Sequence, residues 1–446
     1  MGSKIRRPLV ALLGTTALTV AALAACGGSG SSSGGGAGKT LDVLIGANTQ
    51  YPQEQQAWQQ AIAKQFNAQT GATLKWETFS SANEELTKIQ TSVVSGNGPD
   101  VYAIGTTLTP TAYSTKAFVK LTDADWQKIG GRDKFVPSTL GISGPDQGNQ
   151  VGIPWVARPY VMAYNTDLLK AAGISHPATS WDELTQQAKQ LTHDGQYGLA
   201  VGYKDNYDPW KFIWGMSVQA GNPIVDGKTA KIADPAVRKA FQTYFGWLTH
   251  DKVVDPAAVG WSNAQALAAF GKGKTGYFLL TSALAANALD ASAVKGKWAF
   301  AVLPTVPPGQ TSRPANGVEA ASILSGDNLL VADYSGNKDL AFQFVKLVTD
   351  PQAQLDIYHK LGQLPDNASA AKSLEADPKL APVVQAQGKS VPTPFTGAWA
   401  DVQLALTNAV VQSIPDLANG SMSDAQIDAR ISAAQSSAQS ALNRAK

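Results

Sequence analysis

The sequence predicts an α/β protein built as two similar units joined by proline-rich crossings. Three observations carry that prediction. Short apolar runs alternate with amphipathic stretches of helical period, the alternation stops and restarts once, and the segments GIPWVARP and FAVLPTVPPGQTSRP interrupt it.

The elements follow in order. LDVLIG opens the folded part as a strand, and a helix follows with Trp58, Ile62 and Phe66 at i, i+4 and i+8, ending near Gly71. ATLKWETF is a second strand. Ser81 and Glu84 form a capping box for a helix carrying Leu86, Ile89 and Val93, which Gly96 stops. PDVYAIG, apolar almost throughout, is a third strand, and the whole run argues for a parallel sheet covered on both faces. The pattern restarts at VMAYN, residues 161–165. Ser180 and Glu183 cap a helix bearing Trp181, Leu184, Ala188 and Leu191, and YGLAVGY is strand-like. IADPAVRKAFQTYFGWL is helical; a further helix around 264–270 leads into the strand TGYFLL. From Ala398 the chain is mostly amphipathic helix, broken near Pro415 and Gly420, and no short internal repeat is visible.

A chain of 446 residues suffices for two or three domains and a large core, and 44% hydrophobic with 16% charged residues is ordinary for a folded soluble protein. Eleven Trp is a high count and supplies large apolar faces with a polar handle. No long charge run or basic aromatic stripe is present, so nucleic acid is not an expected partner. The N-terminus reads as processing. Lys4, Arg6 and Arg7 precede the apolar run LVALLGTTALTVAALAA, and LAAC places Cys26, the single cysteine, after small residues. The alternative is a transmembrane anchor, since the run is nearly long enough to span. Removal of residues 1–25 leaves 33 Lys+Arg against 34 Asp+Glu, so the basicity belongs to that segment. GGSGSSSGGGAG then forms a flexible tether.

Several motifs match by pattern and fail by context. Gly271, Gly273 and Gly276 satisfy G-x-G-x-x-G, but the order is helix, loop, strand, the reverse of what a phosphate cradle requires, and Gly271 reads as a helix C-cap. Gly30 to Gly34 matches G-x-S-x-G inside a Gly/Ser tract, without the strand–turn–helix of a nucleophile elbow. His176, His193, His250 and His359 are scattered without metal spacing. The acidic pairs Asp123/Asp125, Glu84/Glu85 and Asp182/Glu183 sit at helix starts, where carboxylates complement the dipole. No metal, cofactor or catalytic residue is expected.

The ordered set SGNGPDVYAIG, GIPWVARPYVMAYNTDLLKAAGI, SWDEL, AAFGKGKTGYFLLTS, VLPTVPPGQTSRPANGVEAASI and NKDLAFQFVKLVTDPQAQLDIYHKLGQLP resembles the extracellular solute-binding proteins of ABC importers, in particular their maltose-binding-like carbohydrate group. LAAC is similar to the lipobox of bacterial lipoproteins. The resemblance covers almost the whole chain after the tether. It implies a two-lobed periplasmic-binding-protein-like (Venus flytrap) fold with hinge crossovers. The implied organisation is a signal over 1–25, lipidated Cys26 and its tether over 26–40, a first lobe from 41–153 and 305–355, and a second from 154–304 and 356–446. It further implies a monomer held outside the cytoplasmic membrane by its lipid. Such a protein closes over a carbohydrate, here expected to be an oligosaccharide, in an interlobe cleft and presents it to a permease driven by a separate ATPase, hydrolysing nothing itself.

Ligands of α/β sheets sit outside the carboxyl ends of strands and at domain interfaces, which selects the candidate residues. Asn48, Thr49, Gln50 and Tyr51 follow the first strand, as ligand contacts or as a polar turn. Thr106 and Thr107 follow the third; maltose-binding members place a Trp and charged residues there, so maltose itself is not the expected ligand. At the first crossing Trp155 either stacks on sugar or packs the hinge, Arg158 needs a ligand or a carboxylate as partner, and Tyr160 is adjacent. Trp210 and Trp214, four apart on one helical face, are expected to place one ring in the cleft, with Asp208 accepting from a hydroxyl. Trp261 lines the cleft or packs its helix. Thr281 and Ser282 end the strand after the glycine cluster, and Asn316, Gly317 and Glu319 follow the second crossing. Trp399, in PFTGAWADV, matches an aromatic that family members stack on sugar, and is the leading candidate by that resemblance. The expected function is the carbohydrate-binding subunit of an ABC importer. The alternatives are the same fold holding a polyamine or a phosphorylated polyol, and a surface glycosidase.

Overall fold

The computed structural model describes residues 38–205 and 208–445, so the signal, Cys26 and most of the tether lie outside the described residues. Among those described, the larger sheet runs in the order Leu364–Pro365, Ile153–Ala157, Gly326–Val331, Val101–Gly105, Thr40–Gly46, Thr73–Phe79. Thr40–Gly46 pairs in parallel with the strands on both sides, whereas Gly326–Val331 runs antiparallel to both of its neighbours. The apolar runs are buried on both faces, as a covered sheet requires. Val43, Ile45, Val101 and Leu329 face one core, and Leu44, Tyr102, Ile104 and Leu330 face the other. The smaller sheet has the order Trp298–Ala301, Val161–Asn165, Thr275–Thr281, Tyr197–Ala200 and is likewise buried on both faces, with Tyr277 and Leu279 on one side and Phe278 on the other. The molecule is thus a two-lobed α/β protein.

Local chemistry sets the helix ends. Trp58, Ile62 and Phe66 are buried along Pro52–Thr70, which stops at Gly71 in the left-handed region. Ser81 and Ser180 each accept from the amide three residues on, but the return bonds of Glu84 and Glu183 go to Ser80 and Thr179, one residue before the cap. The glycine cluster separates helix Asn263–Gly271 from strand Thr275–Thr281; the helix runs through Gly271, and the left-handed residue is Gly273, at φ 80°.

Ile153–Ala157, within the segment expected as the first crossing, is an interior strand of the larger sheet, bonded to Gly326–Val331 on one side and Leu364–Pro365 on the other. Beyond Pro304, where the return to the first lobe was expected, Ser322–Ile323 pairs with Ser390–Val391 and packs on Pro209–Gln219. The third boundary, placed at 355, falls inside helix Pro351–Leu361, which packs on Pro52–Thr70. Helix Ala368–Leu374 stays with that helix, and Ala381–Gly388 is the first to pack on the smaller sheet. The sequence reading missed strands Gly326–Val331 and Leu364–Pro365.

Candidate ligand-binding cleft

A cavity of about 320 Å³ lies where the carboxyl ends of Thr40–Gly46, Val101–Gly105 and Thr275–Thr281 converge. The first strand delivers Asn48, Thr49 and Gln50, the second Thr106 and Thr107, the third Thr281 and Ser282. Asn48 shapes its own turn, its side-chain oxygen accepting from the amides of Gln50 and Tyr51. Leu280 sits at φ 55° beside a register irregularity between the strands Val161–Asn165 and Thr275–Thr281, a bulge that turns the strand end toward the cavity.

The second lobe supplies a polar wall through helix Pro209–Gln219. That helix begins with Pro at its first position and is buried nearly all round. Lys211 Nζ donates to Asp208 Oδ1 at 2.5 Å, Tyr160 Oη to the same oxygen at 3.2 Å, and Asn263 Nδ2 to Asp208 Oδ2 at 3.0 Å. Asp205 accepts from the amides of Asp208 and Asn263. Lys211 also lies over the Tyr160 ring at 4.7 Å. Burial opposes its charge, but Asp208 and Tyr160 outweigh burial and hold the ammonium above its usual value. Trp210 lines the cavity beside this cluster.

On the other side Arg158 makes a fork on Asp327, with Nη1 to Oδ2 at 2.7 Å and Nη2 to Oδ1 at 2.5 Å. The partner that Arg158 needed is therefore a carboxylate, 169 residues away in sequence. Glu85 lines the cavity from helix Ala82–Ser95 and is 4% exposed. Burial pushes its carboxyl up to about 8, Asp327 adds to the rise, and the Gly105 amide and Arg158 oppose it. Gln363 and Gln403 also line the cavity, and the Oε1 of each is buried without a hydrogen-bond partner.

The structure thus brings together Asn48, Thr49, Gln50, Thr106, Thr107, Arg158, Tyr160, Asp208, Trp210, Thr281 and Ser282. Tyr51 stands just outside, its Oη donating to Leu284 O across the lobes at 2.7 Å. The other candidates lie elsewhere. Trp155 packs on Trp58 at 5.8 Å in the first-lobe core. Trp214 is in the second-lobe core, and Trp261 packs against it from the edge. Trp399 is fully buried, with its ring 5.9 Å from that of Trp210, edge to face: it supports the cleft aromatic and does not line the cavity. Gly317 backs onto Gln219, and Glu319 pairs with Lys389 at 2.6 Å and Arg313 at 3.7 Å, so the segment with Asn316 closes a surface turn away from the cavity. Sequence reasoning missed Glu85, Lys211, Asn263, Asp327, Gln363 and Gln403. Glu85 alone left a signal: with Ile89 and Ser92 it falls at i, i+4 and i+7, a carboxylate on a helix's buried stripe.

Two α/β lobes around one cavity lined by rings and paired charges define a two-lobed solute-binding protein. The chain belongs to the family of bacterial extracellular solute-binding proteins, whose model matches residues 50–355. The diacetylchitobiose binding protein DasA of Streptomyces coelicolor is 27% identical over 423 residues, 90% of this chain and 91% of that one. Among solved structures, maltose-bound MalE3 of T. maritima superposes with a TM-score of 0.75 at 19% identity, covering 90% of this chain and 98% of its own. A solute-binding protein of an ABC transporter from Agrobacterium radiobacter K84, in complex with ribitol, gives 0.74 at 22% identity, covering 91% and 99%.

Proposed function

We propose that this protein captures a neutral carbohydrate, of mono- or disaccharide size, and delivers it intact to the permease of an ABC importer. One observation carries the ligand class: the cavity sets an aromatic wall, Trp210 and Tyr160, against two cations that already hold carboxylates, Lys211 on Asp208 and Arg158 on Asp327. Rings take the C–H face of a sugar, and the remaining lone pairs and amides take its hydroxyls. A phosphorylated polyol would have to displace a carboxylate from one of these cations. A polyamine would have to take Asp208 or Asp327 from its own cation, or rely on Asp205 and Glu85, the other carboxyl groups that line the cavity. At about 320 Å³ the cavity is at the low end of ligand sites, which run from about 300 to 1,000 Å³. The relatives that hold diacetylchitobiose, maltose and ribitol support the same class.

We assign residues 38–157 and 326–374 to the first lobe and 161–323 with 381–445 to the second, and Cys26 to lipid attachment outside the cytoplasmic membrane. The test is a titration of the tether-less protein with diacetylchitobiose, maltose and glucose 6-phosphate, followed by tryptophan fluorescence and by chromatography of the recovered ligand. Saturable binding of a neutral sugar recovered unchanged is expected. Preference for the phosphate ester, or hydrolysis of the sugar, overturns the reading. For the anchor, mass spectrometry of the mature protein is expected to find an acylated Cys26, and an intact residue 1–25 segment would overturn it.

A further inference from the structure

Three adjacent strands of the larger sheet each bring an ionisable side chain to one place. Arg158 follows strand Ile153–Ala157, Asp327 lies at the start of Gly326–Val331, and Asp366 follows Leu364–Pro365. Helix Ala82–Ser95 adds Glu85 from the first lobe. The cluster therefore holds three carboxyl groups and one guanidinium, and the guanidinium is already forked on Asp327. Glu85 and Asp366 are 4% and 2% exposed. Burial raises both, Asp327 raises both further, and Arg158 is the cation that acts on either. From the opposite wall the cavity is faced by Asp205, Asp208, Tyr160 and Lys211, and Lys211 is held by Asp208. Of the two extra carboxyls, Glu85 alone lines the cavity; the Gly105 amide donates to its Oε1 at 2.8 Å, and among the described residues none is hydrogen-bonded to its Oε2.

We propose that ligand capture takes up a proton at Glu85: the un-ionised carboxyl meets a ligand hydroxyl in the closed cleft, and the ionised carboxylate favours the open one. A carboxylate shut away from water without its own cation is costly, and opening the cleft restores its hydration. The closed state prefers the acid and the ligand prefers the closed state, so affinity and proton are linked. In the closed cleft the proton is lost as pH rises through about 8, whereas an exposed carboxyl loses it near 4.5. Across that window affinity falls as pH rises, by at most about tenfold per pH unit.

The choice of probe rests on the carbohydrate reading. Wild type and Glu85→Gln are titrated calorimetrically with diacetylchitobiose and maltose at pH 6, 7 and 8, each in two buffers of different ionisation enthalpy. Wild type is expected to take up a proton on binding and to lose at least threefold in affinity from pH 6 to pH 8. Glu85→Gln keeps a donor in the same place, so it is expected to bind with a flat pH profile and no uptake. Binding by wild type without uptake, or equal uptake in the variant, overturns the proposal. If neither sugar binds, the carbohydrate reading fails, and the proposal is judged on the ligand-free proteins by carbon NMR of the glutamate carboxyls. A carboxyl that is missing from Glu85→Gln and titrates near 4.5 in ligand-free wild type then supports it, because the open cleft holds the carboxylate; one titrating near pH 8 is already protonated before capture and overturns it.

Discussion

Trp399 has no exposed surface, and its ring meets Trp210 edge to face at 5.9 Å. Removing a buried Trp side chain costs about 3–5 kcal/mol through lost transfer energy and the cavity left behind. Trp399→Ala is therefore expected to lower unfolding stability by that order in urea melts, and weaker sugar binding follows from the loosened Trp210. A variant as stable as wild type would remove Trp399 from the core. Glu85 makes the complementary prediction. In the closed, ligand-saturated fold its carboxyl is raised from 4.5 in the unfolded chain to about 8, so there its contribution is fully present below pH 4.5 and is lost as pH rises through 8. At ~1.4 kcal/mol per pH unit, wild type loses ~3 kcal/mol from this group by pH 7. Glu85→Gln is expected to flatten the stability–pH curve between 4.5 and 8; an unchanged slope in denaturation series would refute the assignment.

At the scale of elements, the lobes touch directly at the cleft mouth. The Oη of Tyr51, at the start of helix Pro52–Thr70, reaches the carbonyl of Leu284 in the other lobe. Gly362 ends helix Pro351–Leu361 at φ 68°, and a Cβ there would stand 2.6 Å from Leu284 Cα. This approach is open only to glycine, on both backbone and steric grounds. Tyr51 is outside the cavity lining, so Tyr51→Phe removes a lobe-to-lobe bond, together with the bond its hydroxyl accepts from Gln50 Nε2 at 3.2 Å, and no direct ligand contact. A net hydrogen bond of about 1 kcal/mol corresponds to about fivefold, and the variant is expected to release ligand about that much faster in stopped-flow displacement. An unchanged off-rate would mean that this contact does not hold the closed form.

For the whole molecule, one ligand bridging both lobes makes stability and closure a single equilibrium. Diacetylchitobiose or another sugar at a hundredfold excess over its Kd is expected to add ~2.7 kcal/mol to unfolding stability. Scattering should report a smaller radius of gyration as lobes close, and thermal stabilisation without compaction would argue for binding outside the cleft. Helix Trp399–Val411 packs on Pro209–Gln219 and Asp424–Arg444 and also touches the first-lobe segment 106–115, so it ties the two lobes behind the cleft.

Most strands and helices, the N-caps Ser81 and Ser180, and the strand ends that deliver Asn48, Gln50, Thr106, Thr107, Thr281 and Ser282 were legible in the sequence. Those signals are local: period two or 3.6, a capping serine, a left-handed glycine. Which tryptophan faces solute was not legible, because an apolar stripe reads the same whether it meets a core or a cavity. The packing of Trp399 beneath Trp210 decided that. The same holds for charge. Only the tertiary fold brings Asp327 to Arg158 across 169 residues and leaves Glu85 buried beside them, because pairing and desolvation depend on what the folded chain places nearby.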